Sequence, residues 1–233
     1  MWTVLASVLS FLIVVEAVRL FLLFRSVKGN KRYWEQRASL PAKPGDFLYL
    51  ALGDSVANGI GATRPQKGYV GLLAQHIATA TGRDVRVINL SVTGALTTDV
   101  LREQVPQITG LDPDLVTLDI GANDLNKEVP DETFIKNFIA ILDALPAEKT
   151  IVSDLPTFER GPKQSTLLRL NAEMHREIAA HNFVLAPIFD FTSATIHDWT
   201  TYAADFFHPS NKGHRNWYQA FQTGVDEVIS HRG

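Results

Sequence analysis

The sequence predicts an α/β fold in which helices cover both faces of a parallel β-sheet. Short apolar runs rich in β-branched residues alternate along the chain with longer segments of helical spacing. The strand-like runs are almost continuously apolar, as expected of strands that are buried on both faces. A chain of 233 residues is long enough for one such domain and a short extra segment.

Strands and helices follow one another in order after residue 45. The predicted strands are residues 47–52, 85–90, 115–120, 150–153 and 183–188. The predicted helices are residues 69–81, 97–108, 131–145, 165–181 and 211–229. Pro106 is expected to end the second of these helices early, and Asp131 is suited to cap the third.

The first 24 residues form an apolar run that only Glu16 and Arg19 interrupt. Because about 20 apolar residues span a bilayer, residues 1–24 are predicted to be an uncleaved transmembrane anchor helix. Glu16 and Arg19 are three residues apart and would pair on one face of it. A cleaved signal peptide fits less well, since the run lacks a basic start and a small-residue cleavage site. A helix lying in the membrane interface or buried in the protein is the third alternative.

Residues 25–45 are predicted to be a basic juxtamembrane linker, and residues 46–233 the main domain. The basic residues directly after the apolar run place this domain on the cytoplasmic side, by the positive-inside rule. The same residues could bind anionic lipid headgroups or could simply be solvated. The sequence therefore predicts a membrane location and membrane lipid as one partner.

Charge and cysteine content exclude several classes of function. Residues 1–45 carry seven basic and two acidic side chains, whereas the rest of the chain carries 15 basic and 23 acidic ones. An acidic main domain argues against nucleic acid as a partner, because phosphate binding needs a basic surface. The chain has no cysteine, which excludes disulfides, thiolate catalysis and cysteine-ligated zinc.

A serine follows the first predicted strand, at the sheet edge where parallel sheets bind their ligands. In Gly53-Asp54-Ser55, the serine hydroxyl would lie close to the free N–H groups of a helix start. Such a position favours the formation of an oxyanion near the hydroxyl group. Alternatively, Ser55 is only a helix cap in a tight turn.

A histidine and a carboxylate lie together shortly before the last predicted helix. In Asp205-Phe206-Phe207-His208, the carboxylate can reach one ring nitrogen within a single tight loop, which Pro209 would stiffen. A histidine held in this way can take a proton from a serine and return it to a leaving group. Alternatively, both are ordinary surface residues before a helix.

Two further segments follow predicted strands and could supply hydrogen-bond donors. Asn123, in Gly121-Ala122-Asn123-Asp124, carries a side-chain amide that can donate to an oxyanion. Gly94 can offer a backbone N–H to the same oxyanion. Both segments could equally be turns with no chemical role.

Taken together, these blocks resemble the SGNH (GDSL-type) hydrolases, and they occur in that family's order between residues 53 and 209. The resemblance implies a flavodoxin-like three-layer sandwich with a five-stranded parallel sheet. It implies Ser55 as nucleophile, His208 as base and Asp205 as the residue that orients His208. It also implies an oxyanion hole formed by Ser55, Gly94 and Asn123, and no need for a metal or cofactor.

The resemblance implies a serine hydrolase that cleaves a small-molecule acyl ester, of the esterase, lysophospholipase or thioesterase type. Val56 stands where the family name has leucine, and this change keeps an apolar side chain. A carbohydrate O-deacetylase or an acyltransferase would use the same residues. A non-catalytic, membrane-tethered ligand-binding module is the alternative from another class.

Overall fold

Five parallel strands form the centre of the molecule. The computed structural model describes residues 2–157 and 163–230. The strands are β1 (Phe47–Gly53), β2 (Val85–Asn89), β3 (Leu115–Asp119), β4 (Thr150–Ser153) and β5 (Val184–Ala186). The helices are α1 (Trp2–Ala38), α2 (Tyr69–Thr81), α3 (Thr97–Asp99), α4 (Ala122–Asn126), α5 (Asp131–Leu142), α6 (Gln164–Ala180), α7 (Ile188–Ser193) and α8 (Gly213–Ser230). The strand order is β2-β1-β3-β4-β5, which confirms the predicted α/β class with a five-stranded parallel sheet.

The two faces of the sheet carry separate apolar cores. Side chains alternate between the faces along a strand, so Leu50 and Leu52 of β1 join one core and Tyr49 and Ala51 join the other. The first core is closed by α5 and α6, and the second by α1, α2 and α8. All four of these β1 side chains are fully buried, as a central strand between two helical layers requires.

Prolines account for the main differences from the predicted element boundaries. The predicted helix over residues 97–108 consists of three short pieces of different pitch. The α-helical part, α3, is followed by a π-helical turn, Val100–Gln104, and by a 3-10 turn, Val105–Ile108, so helical structure continues past Pro106. Pro106 lies at the start of that 3-10 turn, where its missing N–H is not needed. The fifth strand is shorter than predicted and stops before Pro187, after which α7 begins. Asp131 is the first residue of α5 rather than its cap, which is Pro130.

The predicted transmembrane anchor is wrong. Within residues 2–157 and 163–230, no helix has an apolar stretch long enough to cross a membrane. The apolar run is broken by Glu16 and Arg19, which form an ion pair of 2.9 Å on the surface of α1. The predictions that rested on the anchor, namely membrane lipid as a partner and a membrane location with a cytoplasmic domain, are corrected with it.

Helix α1 continues through much of the segment predicted to be a linker and packs on the domain. It ends at Ala38, and its last turns lie against β2. Trp34 is 3% exposed and donates its indole N–H to the carbonyl of Asn58 over 3.0 Å. The buried Asn30 amide donates to the carbonyls of Asn58 and Gly59 over 3.2 and 3.0 Å. The end of α1 is therefore attached to the turn that follows Ser55.

Candidate active site

Ser55 lies at the carboxyl end of the central strand β1. The strand ends at Gly53, and Ser55 lies in the turn that follows, with 3% of its surface exposed. Gly53 has a φ of 143°, and a Cβ atom there would collide with the carbonyl oxygen of Asp119 on β3. Only glycine fits this point, where the chain leaves the sheet to form the turn that carries Ser55.

His208 bridges Ser55 and Asp205. Its Nε2 lies 2.9 Å from Ser55 Oγ, and its Nδ1 lies 2.6 Å from Asp205 Oδ2. In the neutral ring, Nδ1–H then donates to the carboxylate and Nε2 accepts from the serine hydroxyl. A histidine in this tautomer can take the proton of the serine hydroxyl. The structure thus brings together three residues that are up to 153 positions apart in the sequence.

The carboxylate of Asp205 is fixed by a tight turn. Oδ1 accepts from the backbone N–H groups of Phe207 and His208 over 3.1 and 3.0 Å. To close this turn, Phe206 adopts a left-handed φ of 53°, which is uncommon for a residue with a side chain. Burial alone would raise the pKa of Asp205, but its hydrogen bonds and the neighbouring His208 lower the pKa below its usual value. The group that faces the histidine is therefore a carboxylate.

Asn123 follows β3 and reaches the same site with its side-chain amide. Nδ2 donates to Asp54 Oδ2 over 2.9 Å and to the carbonyl of Ala95 over 3.1 Å. Asp54 in turn accepts the N–H of Val56 on its other oxygen, over 2.9 Å. One side chain thus connects the turns that follow β1, β2 and β3. Both amide hydrogens of Asn123 are engaged in this arrangement.

Gly94 lies in the loop after β2, next to the residue that Asn123 contacts. It has a left-handed φ of 81°, and its carbonyl accepts from Lys127 Nζ over 3.3 Å. The loop is attached to β1 because the N–H of Val92 donates to the carbonyl of Gly53 over 3.1 Å. The N–H groups of Ser55 and Gly94 donate to no other described residue. Both N–H groups therefore remain available as hydrogen-bond donors.

Gln104 is a buried residue of the site that the sequence analysis missed. Its side chain is fully buried, and it accepts from the N–H of Gly53 over 2.9 Å and donates to the carbonyl of Gly53 over 2.8 Å. The Gln104 side chain therefore forms hydrogen bonds with the end of β1 at a point beyond Asn89, where β2 has already ended. The available signal was its spacing of four residues from both Val100 and Ile108, which places a polar side chain on an apolar helix face.

Asp124 holds the start of α3 next to the site. Its carboxylate accepts from the N–H of Thr97 over 3.0 Å and from the Thr97 hydroxyl over 2.7 Å. Burial raises the pKa of Asp124, and these hydrogen bonds oppose that effect. Asp124 is therefore a structural link between the loops that follow β2 and β3.

Two buried carboxyl groups lie beneath the site. Burial, and then the charge of Asp119, raise the pKa of Asp54 to about 7. Burial likewise raises the pKa of Asp119 to about 7, although the Ser153 hydroxyl donates to its Oδ1 over 2.9 Å. Because the two groups repel each other when both are ionised, the pair retains a proton at a higher pH than either carboxyl would in water.

A pocket of about 510 Å³ opens beside Ser55. Its lining includes the buried residues Asp54 and Trp217 and the exposed aromatic residues Trp199, Phe206 and Phe207. Within the described parts of the chain, no group of three or more histidine and acidic side chains is placed to hold a metal ion. The site therefore consists of the serine, histidine and carboxylate, free N–H donors and an adjacent pocket.

Comparisons with known proteins identify the family and the fold. A family model described as the GDSL-like lipase/acylhydrolase family matches residues 51–215. The solved structure of a protein named TesA is similar, with a TM-score of 0.65 and 21% identity over 78% of this chain and 99% of that chain. The psychrotrophic esterase EstA from Pseudoalteromonas sp. has a TM-score of 0.63 and 21% identity over 79% and 100%. Axe2, an acetylxylan esterase from Geobacillus stearothermophilus, has a TM-score of 0.61 and 19% identity over 79% and 96%.

No curated protein sequence matches the chain. At these sequence identities, 19–21%, the similarity to the solved structures shows the fold alone. The family model goes further, because it covers well over half of the chain and includes Ser55, Gly94, Asn123, Asp205 and His208. The chain belongs to the GDSL-like lipase/acylhydrolase family and is an ester-bond hydrolase.

Proposed function

We propose that the protein hydrolyses acyl esters through an acyl-enzyme on Ser55. The observation that carries this proposal is the pair of distances at His208: 2.9 Å from Nε2 to Ser55 Oγ and 2.6 Å from Nδ1 to Asp205 Oδ2. A nucleophile within hydrogen-bond reach of a base, which a third group orients, is the arrangement that activates a serine.

In the first half-reaction, Ser55 Oγ bonds to the ester carbonyl carbon while its proton passes to His208 Nε2. The imidazolium ion is stabilised by Asp205, which the turn around Phe206 keeps ionised and correctly aimed. The bond from the carbonyl carbon to the alcohol oxygen then breaks, and His208 returns the proton to that oxygen. The alcohol leaves, and the acyl group remains as an ester on Ser55.

In the second half-reaction, a water molecule takes the place of the alcohol. It gives a proton to His208 Nε2 and bonds to the acyl carbon, and the bond to Ser55 Oγ breaks as the proton returns to the serine. The products are the free acid and the original enzyme. An alcohol in place of water would give a new ester instead, so the yield of free acid distinguishes a hydrolase from an acyltransferase.

The developing oxyanion is proposed to be held by the N–H groups of Ser55 and Gly94 and by the amide of Asn123. The two backbone donors have no other acceptor among the described residues. Asn123 has both hydrogens engaged, with Asp54 and with Ala95. Its participation requires that one of these two hydrogen bonds lengthen as the oxyanion forms. Donors fixed in advance at such a position account for much of the rate gain in acyl transfer.

The proposal is tested with the full-length protein and p-nitrophenyl esters of two to sixteen acyl carbons. Wild type should release nitrophenol and acid in equal amounts, and Ser55→Ala should not. Ser165→Ala, which removes a serine exposed on α6, serves as the matched control and should keep wild-type rates. A fluorophosphonate probe should add one covalent label to wild type and to the control, and the labelled peptide should contain Ser55. Labelling elsewhere, or full activity of Ser55→Ala, would refute the mechanism.

A further inference from the structure

The turn after Ser55 lies directly against the segment that carries His208. The N–H of Ile60 donates to the carbonyl of Ser55 over 2.9 Å, so Ile60 is part of the nucleophile's own turn. A Cβ atom on the next residue, Gly61, would collide with the carbonyl oxygen of Pro209 and would lie 3.1 Å from the Cβ of His208. The two segments therefore meet closely at Gly61, and a shift of either one would change the distance between the serine and the histidine.

Ala203 belongs to the histidine side of this contact. Its N–H donates to the carbonyl of His208 over 2.7 Å, so Ala203 is attached to the segment that carries the base. Its methyl group would lie 3.1 Å from a Cβ atom at Gly61. We call the contact formed by Ile60, Gly61 and Ala203 the loop interface, because it joins the turn of the nucleophile to the segment of the base.

Helix α1 contributes a leucine to the loop interface. Leu23, Ile60 and Ala203 form one small apolar cluster that is separate from the two cores of the sheet, and Val27 packs against it. Leu23 is 9% exposed and Ile60 is 1% exposed. One cluster thus combines a residue hydrogen-bonded to Ser55, a residue hydrogen-bonded to His208 and a side chain of α1.

The residues that follow Leu23 on the same side of α1 hold it in position. Leu23, Val27, Asn30 and Trp34 are separated by four, three and four residues, a spacing that places them on one face of the helix. Asn30 and Trp34 both donate to the carbonyl of Asn58, over 3.2 and 3.0 Å. A helix attached in this way keeps Leu23 at a constant position relative to the turn after Ser55.

Helix α8 joins the same segments through hydrogen bonds that do not involve α1. His214 Nε2 donates to the carbonyl of Ile60 over 3.0 Å. The N–H of Thr63 donates to Asn211 Oδ1, in the turn before α8, over 2.9 Å. Because these bonds remain when Leu23 is shortened, the turn and the histidine segment should stay attached to the fold. The loss should then affect the alignment of the two groups.

Building on the acyl-enzyme mechanism proposed above, we infer that Leu23 is a positioning residue of the active site, which holds the serine's turn against the histidine's segment. It lies outside residues 51–215, which match the family, and it does not line the pocket. A displacement of about 1 Å between reacting groups can cost about 10²-fold in rate. Because Leu23 acts on the alignment of Ser55 and His208, its loss should lower kcat rather than raise KM.

The test compares Leu23→Ala with Leu22→Ala in the full-length protein, with p-nitrophenyl acetate as substrate. Leu22 precedes Leu23 in α1 but is 55% exposed, so the control removes the same atoms from the surface. Leu23→Ala should lower kcat about tenfold or more and leave KM within about twofold, and Leu22→Ala should match wild type. Leu23→Met, which keeps the apolar volume, should restore kcat to within about threefold of wild type.

The reaction of Ser55 with a fluorophosphonate gives a second readout that needs no ester substrate. Its rate constant should fall in Leu23→Ala by the same factor as kcat, because both reactions need a serine activated by His208. Urea unfolding establishes whether each variant is folded under the assay conditions. If Leu23→Ala is not, Leu23→Val removes a single methylene group and should still lower kcat relative to Leu22→Val.

A folded Leu23→Ala whose kcat and labelling rate lie within about twofold of those of Leu22→Ala would overturn the inference. An increase in KM at constant kcat would also overturn it, because Leu23 would then act on substrate binding. A loss in Leu23→Met as large as that in Leu23→Ala would exclude packing as the cause. If wild type neither cleaves esters nor takes the label at Ser55, the proposed function itself fails, whereas a result confined to the Leu23 variants leaves it intact.

Discussion

Asn123 donates one amide hydrogen to Asp54 Oδ2 over 2.9 Å, so the proposed oxyanion donor is held by the residue that precedes the nucleophile. Asp54 therefore has a structural role, whereas its neighbour Ser55 is the proposed nucleophile. It accepts Val56 N–H on one oxygen and Asn123 on the other, and so joins the turn after β1 to the turn after β3. The position of the proposed oxyanion donor therefore depends on this buried carboxyl group.

Asp54→Asn is expected to lower kcat about tenfold while KM changes little. The single amide oxygen of asparagine can serve only one of the two donors, and the loss of one orienting hydrogen bond costs on the order of 1 kcal/mol. Steady-state kinetics with one p-nitrophenyl ester measure the effect, and Asp143→Asn, at an exposed carboxylate, is the control. A wild-type kcat in folded Asp54→Asn would show that Asn123 needs no such support.

Asn123→Ala should reduce kcat by about 10²–10³-fold, the usual cost of removing one oxyanion donor. The donor acts mainly in the transition state, so the loss should fall on kcat rather than on KM. If kcat stays within about threefold of wild type, the oxyanion is held by backbone N–H groups alone. Fluorophosphonate labelling of Ser55 in the same variant controls for an intact nucleophile.

Asp205→Asn should lower kcat by up to about 10⁴-fold, because an asparagine can hold the histidine ring in the wrong tautomer. The loss should be smaller than that of Ser55→Ala, which removes the nucleophile itself. Progress curves with high enzyme concentration distinguish the two variants. Equal, complete loss in both, with both proteins folded, would mean that Asp205 does more than orient His208.

Asp119→Asn should become more stable relative to wild type as pH rises from 5 to 8. The folded-state pKa of Asp119, about 7, lies above its unfolded value, so the folded protein keeps a proton that the unfolded chain has lost. Wild-type stability from this group therefore falls as pH rises through that interval, and the variant lacks this loss. The difference should reach at least about 1 kcal/mol, measured by urea unfolding at each pH.

The buried His214 acts in the opposite direction but does not obscure that comparison. Burial lowers its pKa to about 4, so its contribution to stability is lost as pH falls from about 6.5 to 4. Wild type and Asp119→Asn share this residue, and its effect cancels in their difference. A difference that is constant from pH 5 to 8 would contradict the raised pKa of Asp119.

Gln104→Leu should destabilise the fold by about 1–3 kcal/mol, because it leaves the N–H of Gly53 unpaired in the interior, while the Gly53 carbonyl keeps only its hydrogen bond from Val92. Gln107→Leu, at an exposed position of the same helical segment, is the matched control and should change stability little. Chemical unfolding of both variants measures the difference. A loss below about 0.5 kcal/mol for Gln104→Leu would indicate that water replaces the side chain.

The sheet and the sequence blocks could be predicted because their signals are local. An apolar run such as residues 47–52 predicts its strand directly, and the blocks around Ser55 and His208 have recognisable spacing. The hydrogen bonds of Gln104 could not be predicted, because they join residues 51 positions apart and depend on where β2 stops. The same is true of Asn123, whose partners lie in two other loops.

The error at the N-terminus has a different physical origin. The apolar content of residues 1–24 does not indicate where the helix ends. In the structure, α1 continues to Ala38, and the residues that fix it are Asn30 and Trp34, which lie in the segment predicted to be a basic juxtamembrane linker. A polar stretch that contains one tryptophan and one asparagine gives little indication from its composition that it will be buried.

Helix α1 is attached to the carbonyls of Asn58 and Gly59, so the folded domain begins earlier in the chain than the region that matches the family. The family match begins at residue 51, yet Trp34 and Asn30 complete the hydrogen bonding of the nucleophile's own turn from outside it. A shortened chain that kept only the matched region would leave the carbonyls of Asn58 and Gly59 without the donors Trp34 and Asn30. The region that defines the family is therefore shorter than the region that holds the turn after Ser55 in place.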